Sequence, residues 1–337
     1  MNQTSLNRSF TTWSLLGFAA PSIIMMVFMS LYTIVDGIFI SRFVGSNALS
    51  SLNIVYPMIS VVIAIATMFA TGGNAIVSRY LGQGQEKQAR KALTEFVVIG
   101  VLISTVFAVL VILFEDPICR FLGANDELMS DCKAYLTISM LFAPACTLQT
   151  LFQSYFVTAS RPGLGLWLTA AAGILNAVLD YVLIVPIPLG IAGAALATGF
   201  GQLLPAAVGL IFFAIPHKTL RFCRFSFRPR EIRDACINGS SEMIGQMATA
   251  ITTFLFNIIL MRLAGSDGVA AMTILFYGQF LFNAFYLGFA IGIAPVVGYQ
   301  YGAGNRRELR KIYRISFLFT VISSIAMTAA SIILATP

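Results

Sequence analysis

Long apolar runs, separated by short polar segments, follow one another along almost the whole chain. Each has about twenty residues or more and few charges, which is typical of a helix that crosses a bilayer. The first run is far longer than the core of a signal peptide, so we expect it to be retained. The pattern predicts an all-α, polytopic membrane protein with about nine spans, at 13–40, 49–71, 92–114, 133–158, 164–187, 190–215, 237–261, 268–297 and 312–335.

The sequence repeats itself with an offset of 220 residues. Over positions 42–91, 13 of 50 residues are identical to those at 262–311, where average composition predicts roughly 3 or 4. The loop with Gly82 and Gly84 falls on the loop with Gly302 and Gly304. Duplicated membrane halves are typical of secondary transporters, in which the substrate site lies between the halves.

The repeat predicts two lobes joined by a linker. Residues 1–215 form a six-helix lobe, 216–235 form a basic interlobe linker, and 236–337 form a partial second lobe of three helices. A complete duplication would add three more spans, so we expect the sequence to lack the last three helices. Aromatic and basic residues interleave in the linker, which fits either an amphipathic segment on the cytoplasmic leaflet or a solvated loop.

Charge is scarce and its distribution predicts the orientation. Hydrophobic residues make up 58% of the chain and charged residues 10%, with a net charge of +7. Of the 21 Lys and Arg residues, 17 fall in alternate loops and only four (Arg42, Arg120, Lys133 and Arg262) fall on the other side. The positive-inside rule then puts the N-terminus in the cytoplasm and gives both copies of the repeat the same orientation. The basic excess is therefore a topology signal and not a nucleic-acid-binding surface.

The sequence lacks the usual signatures of an enzyme. It has no Gly-rich phosphate loop ending in Lys-Ser/Thr, no HExxH motif and a single histidine. The five cysteines show no metal-binding spacing, although Cys119 and Cys132 share a predicted outer loop and their pairing stays open. We expect neither catalysis nor a cofactor.

Asp36, Asp180 and Glu242 are the three acidic residues that lie well inside predicted spans. A carboxylate there costs about 2.5–3.5 kcal/mol on insertion scales, so it normally faces a wet cavity and serves a function. Asp36 and Asp180, together with Thr198, lie within roughly 6–12 Å of the outer membrane edge, and Asn176 is one turn from Asp180. These oxygen ligands suit a proton or a sodium ion. The alternative is a polar knot that only pins three helices.

The seventh predicted helix carries a polar stripe through an apolar surface. Its members are spaced to share one face: Glu242, Gln246, Thr249, Thr253 and Asn257. We expect a cavity wall that contacts cations or cationic substrates, with an interhelical hydrogen-bond seam as the alternative. In the first helix, Pro21 removes a backbone hydrogen bond and predicts a hinge, unless the kink serves packing alone.

Taken together, four motifs resemble the multidrug and toxic compound extrusion (MATE) family, and more closely its MepA-like branch. These are VDGIFIS at 35–41, the Gly-Gln-Gly loop with its basic tail at 82–91, Asn176 and Asp180 followed by Thr198, and Glu242. The resemblance implies a twelve-helix, two-lobe antiporter. It also implies cation-site roles for Asp36, Asn176, Asp180, Thr198, Gln153 and Tyr135, and a second-lobe role for Glu242.

The resemblance implies export of lipophilic or cationic drugs in exchange for H⁺ or Na⁺, hence a role in antibiotic resistance. We expect a monomer in the inner (cell) membrane of a bacterium, with small-molecule substrates and membrane lipids as partners. A flippase for lipid-linked saccharides is one alternative, and it predicts cationic residues along the cavity. A non-transporting scaffold or receptor is the other, and it needs no deep carboxylates.

Overall fold

A computed structural model describes residues 6–7, 9–216 and 220–335, with side chains undescribed at 38, 46, 253–254, 257–258, 260–277 and 333–335. The described part is helical and contains no strand. Its α-helices are α1 (Thr12–Phe39), α2 (Ser46–Gly82), α3 (Glu86–Leu113), α4 (Glu115–Phe121), α5 (Met129–Leu141), α6 (Ala143–Thr158), α7 (Pro162–Ile184), α8 (Ile191–Ala214), α9 (Pro229–Gly302) and α10 (Arg306–Ala335). A π-helical segment, Ile40–Val44, extends α1.

The chain is a multi-pass membrane protein by its apolar helices. Among the described residues, seven helical stretches are long and apolar enough to span a bilayer, or eight if the bent pair α5–α6 counts as one span. The predicted span at 237–261 lies in the part of α9 where many side chains are undescribed. The count of nine therefore stays a prediction.

The fourth predicted span is not one straight helix. We expected a single helix over 133–158, whereas α5 and α6 meet at Phe142 with a bend of 51°. Pro144 explains the break, because it lacks an N–H and disfavours helical geometry in the residue before it.

Helix α9 contains both the seventh and the eighth predicted spans. Its backbone is helical from Pro229 to Gly302, whereas two separate spans, 237–261 and 268–297, were predicted. A straight helix would separate Gly239 from Gly298 by about 90 Å. Both nevertheless touch α2, Gly239 against Met68 and Gly298 against Ser78. Helix α9 therefore bends back on itself. We call the part that contains Gly239 the first arm and the part that contains Gly298 the second arm.

The contacts of α9 with α1 and α2 are reciprocal under the 220-residue offset. Gly82 approaches the backbone of Tyr299, and its counterpart Gly302 approaches that of Arg79, the counterpart of Tyr299. Ser78 meets its own counterpart, Gly298. The same relation links Gly72 against Gly239 to Gly292 against Ala19. The two copies of the repeat are thus related by a pseudo-two-fold axis that passes near Ser78, and glycine lets the helices touch along it.

The turns that follow α2 and α9 have the same backbone conformation. Gly84 has φ +73° and Gly304 has φ +69°, a region that favours glycine. Gly84 N donates to Leu81 O at 3.1 Å, and Gly304 N donates to Tyr301 O at 3.1 Å. The sequence repeat is therefore also a repeat in backbone geometry.

The segment that precedes α1 contacts the second copy, and the segment that precedes α9 contacts the first copy. Phe10 N, just before α1, donates to Glu308 Oε2 of α10 at 3.3 Å. Arg228 N, just before α9, donates to Glu95 Oε1 of α3 at 2.5 Å. Each copy is therefore held by the segment that leads into the other, while the lobe boundaries at 215 and 236 remain a prediction.

We expect Gly298→Val to destabilise the protein, because a branched side chain would collide with Ser78 and push the second arm away from α2. The free energy of unfolding should fall by about 1–3 kcal/mol, measured by thermal unfolding in detergent. Gly245→Val is the matched control, since a Cβ at Gly245 in the first arm meets nothing within 4 Å. Equal losses in both variants would mean that the contact with Ser78 is not responsible.

Candidate functional site

Two carboxylates from different helices meet near the end of α1. Asp36 lies one turn before the end of α1, and Asp180 lies one turn before the end of α7. Their carboxyl groups lie close enough to interact directly. Asp180 is 1% exposed. Oδ1 of each carboxyl group is buried and has no hydrogen-bond partner within the described part of the chain.

A hydrogen bond between two carboxyl groups needs one shared proton, because two carboxylate ions only accept. Two bare carboxylates side by side would repel each other, and their burial away from water would add a desolvation penalty. A proton or another small cation relieves both costs. The unpaired Oδ1 atoms are acceptors that such a cation would satisfy.

An amide and a hydroxyl lie beside the acidic pair. Asn176 is one turn from Asp180 on α7, and its Nδ2 donates to Thr198 Oγ1 of α8 at 3.5 Å. Asn176 and Thr198 line a small cavity with Tyr32 and Gln149. The structure therefore brings Asp36 and Asp180 together, and Asn176 with Thr198, as the depth estimate predicted. Their function stays a prediction.

A larger cavity adjoins this group, and Thr198 lines it as well. Tyr135 of α5 also lines it and lies close enough to both carboxylates to interact with them electrostatically. Gln202 lines both cavities. The two cavities thus meet at Thr198 and Gln202 of α8.

Sequence analysis missed three polar residues at this site: Tyr32, Gln149 and Gln202. Tyr32 precedes Asp36 by four residues, so helical periodicity puts both on one face of α1. Gln149 is hydrogen-bonded to Tyr32. Gln202 follows Thr198 by four residues on α8. The spacing could have found Tyr32 and Gln202, whereas nothing in the sequence links Gln149 to α1.

Gln153 occupies a different level of the bundle. Its Nε2 donates to Thr169 Oγ1 at 3.2 Å and lies 3.9 Å from Met29 Sδ. Thr169 precedes Asn176 by two turns of α7, about 10 Å along the helix. Gln153 thus contacts α7 about two turns from Asn176, and its role at the cation site stays a prediction.

The polar stripe of the first arm faces open space. Glu242 and Gln246 are partly exposed and Thr249 is exposed. Glu242 makes no hydrogen bond or ion pair within the described part of the chain. Thr249 Oγ1 donates back to Gly245 O at 3.0 Å. The side chains of Thr253 and Asn257 lie outside the described residues.

Pro21, Cys119 and Cys132 were also singled out from the sequence. Helix α1 remains helical through Pro21, and the hinge stays a prediction. Cys119 and Cys132 are both buried and both free thiols.

A family model described as MatE matches residues 21–182 and 243–337, which is more than half of the chain. The chain belongs to the MatE family. Members of this family are transporters and not enzymes. The matched residues include Asp36, Asn176 and Asp180 of the acidic site.

Named relatives and solved structures agree with this assignment. The multidrug export protein MepA of Staphylococcus saprophyticus subsp. saprophyticus is 24% identical over 313 residues, covering 92% of this chain and 69% of that protein. MepA of Staphylococcus aureus is 23% identical over 332 residues, covering 94% of this chain and 70% of that protein. The outward-facing conformation of a multidrug resistance MATE transporter superposes with a TM-score of 0.90 at 20% identity, covering 99% of this chain and 75% of that chain. At this identity, the structural likeness shows the fold alone.

We expect Asp36→Asn to stabilise the folded protein at neutral pH. It removes one of two buried carboxyl groups that compete for a single proton and keeps the side-chain volume. The free energy of unfolding should rise by about 1–3 kcal/mol, measured by thermal unfolding in sodium-free detergent. Asp126→Asn is the control, because Asp126 is exposed and paired only with Arg120 at the surface. A lower unfolding temperature for Asp36→Asn would contradict the expected strain at the site.

Proposed function

We propose that this chain is a secondary active antiporter that exports lipophilic or cationic compounds in exchange for protons or sodium ions. The adjacent carboxyl groups of Asp36 and Asp180, with an unpaired buried oxygen on each, carry the proposal. The names of the MepA relatives as multidrug export proteins support the substrate class. We assign no enzymatic step and no cofactor.

The chemistry of the pair favours a small cation as the coupling partner. The groups around it offer carboxylate, amide, hydroxyl and phenol oxygens from Asp36, Asp180, Asn176, Thr198 and Tyr135. Hard monovalent cations prefer oxygen ligands, and a proton can be shared directly between two carboxyl groups. Binding of either ion removes one negative charge from the site, so occupancy changes the charge at the junction of α1 and α7.

Coupling would then follow from linkage. If the bound cation favours one arrangement of α1 and the exported compound favours the other, each weakens the binding of its counterpart by the same factor. Pro21 is the position where α1 can bend, since its ring removes one backbone hydrogen bond in the helix. Glu242 and its stripe on the first arm would meet the cationic part of the exported compound.

A lipid-linked saccharide flippase has less support. Recognition of a phosphate would call for Lys or Arg along the cavity. Neither of the two cavities in the described part of the chain is lined by a basic residue. The deep charges are acidic, which matches a cationic substrate.

We expect Asp36→Asn to abolish coupled export. Cells that express this variant should retain ethidium to the same level as cells that lack the protein, because the acidic pair can no longer exchange a cation. Asp126→Asn should export ethidium like the unmodified protein. Undiminished export by Asp36→Asn, at matched expression, would remove the acidic pair from the mechanism.

The same variants, reconstituted in proteoliposomes, identify the coupling ion. An imposed sodium gradient at fixed pH and an imposed pH gradient without sodium separate the two candidates. The productive gradient should lose its effect in Asp36→Asn and keep it in Asp126→Asn. Uptake that responds to neither gradient would exclude an antiporter.

We expect Glu242→Gln to weaken export of cationic compounds and to spare neutral ones. Loss of one partly exposed charge should raise KM for a cation about two- to five-fold with little change in kcat. Transport of a cationic and an uncharged dye by the same vesicles measures this split. Glu127→Gln, an exposed acid between α4 and α5, controls for net charge. A similar rise in KM for both dyes would assign Glu242 to packing.

A further inference from the structure

The interlobe linker is fastened to the first copy of the repeat, although it has no regular secondary structure. Leu220 is buried. Phe222 N donates to Phe213 O at 2.7 Å, and Cys223 N donates to Thr94 Oγ1 at 3.0 Å. Arg228 Nε donates to Glu95 Oε2 at 3.2 Å, and Glu95 is fully buried. These bonds hold the segment between Leu220 and Arg228 in one position.

While these residues are held against the first copy, a set of basic and aromatic side chains in and next to the same segment is exposed. We call it the linker face, and its members are Arg221, Arg224, Phe225, Phe227 and Arg230. Phe225 is 43% exposed and Phe227 is 62% exposed. The guanidinium groups of Arg221, Arg224 and Arg230 make no ion pair or hydrogen bond within the described residues. Arg233 differs, because it is paired with Asp234.

The depth of the linker face follows from its attachment to α3. This helix begins with the charged residues Glu86, Lys87, Arg90 and Lys91 and becomes apolar from Phe96 onward. Thr94 and Glu95, which hold the linker, lie where the sequence of α3 changes from polar to apolar. The linker also joins two membrane-spanning helices, α8 and α9. Its position is therefore that of the headgroup region of the bilayer.

We propose that the linker face is a binding site for anionic phospholipid headgroups. Arg221, Arg224 and Arg230 pair with lipid phosphates, and Phe225 and Phe227 enter the boundary between headgroups and acyl chains. Aromatic rings favour this boundary, and basic residues near it are attracted to anionic lipid. Fixing the linker beforehand lowers the entropy lost when lipid binds. The site is independent of the acidic pair and of the exported compound.

Fluorescence quenching by brominated lipids tests the site. Phe227→Trp, in a background where Trp13 and Trp167 are Phe, provides a single tryptophan on the linker face. Vesicles contain either brominated phosphatidylglycerol or brominated phosphatidylcholine at the same mole fraction. We expect stronger quenching by brominated phosphatidylglycerol. Unchanged thermal unfolding relative to the parent protein verifies that the linker remains fastened.

Two triple variants with the same loss of charge identify the residues responsible. Replacing Arg221, Arg224 and Arg230 by Gln should reduce the preference for the anionic lipid by about five-fold for each Arg removed. Replacing Arg306, Arg307 and Arg310 by Gln, at the start of α10, should leave it unchanged. Equal quenching by both lipids, or equal loss in both triple variants, would overturn the site. Unquenched emission typical of water-exposed tryptophan would overturn it as well.

Discussion

Two helices can approach backbone to backbone where one of them presents a glycine, and the packing of this protein depends on that close approach. Gly82 and Gly302 each lie against the backbone of the opposite copy, and Gly72 and Gly292 repeat the arrangement nearer the middle. In lipid there is no hydrophobic drive for helices to associate, so close contact of this kind supplies much of the attraction. The glycine contacts hold the two copies together at the end where α1 begins and α2 ends.

Because these contacts hold the two copies together, the acidic site can be energetically unfavourable without separating them. Asp36 lies 13 residues beyond Ile23, the last α1 residue in these glycine contacts, which is about 20 Å along α1. A buried pair of carboxyl groups contributes nothing to association of the copies and would destabilise an isolated bundle. Because the contacts near Ser78 are far away, the charge state at Asp36 and Asp180 can change while the copies remain in contact. The contacts that hold the copies together and the carboxyl group of Asp36 thus lie far apart along α1.

The amino-acid pattern predicted the helical class, and it put Asp36 and Asp180, which the structure has close together, at one level, because depth in a membrane can be read from position along a helix. Rotation about the helix axis is harder to predict. Gln153 was assigned to the cation site from resemblance, yet its amide points to Thr169, two turns away from Asn176. The break at Phe142 was missed although Pro144 marks it, since the apolar run continues through both residues. Gln149 came to the site through packing of α6 on α1, which no local pattern encodes.

The meeting of Ser78 with Gly298 bears on how such a chain can originate. In a symmetric dimer of a single half, this position would face an identical copy of itself, and two serines would collide where serine now meets glycine. Fusion of the halves into one polypeptide removes that restriction, because the two positions can then change independently. Ser78 also donates to Asn74 O within its own helix at 2.7 Å, so its hydroxyl is satisfied without a partner across the axis. The difference between serine and glycine at this position therefore makes the two halves non-interchangeable, so that each half requires the other.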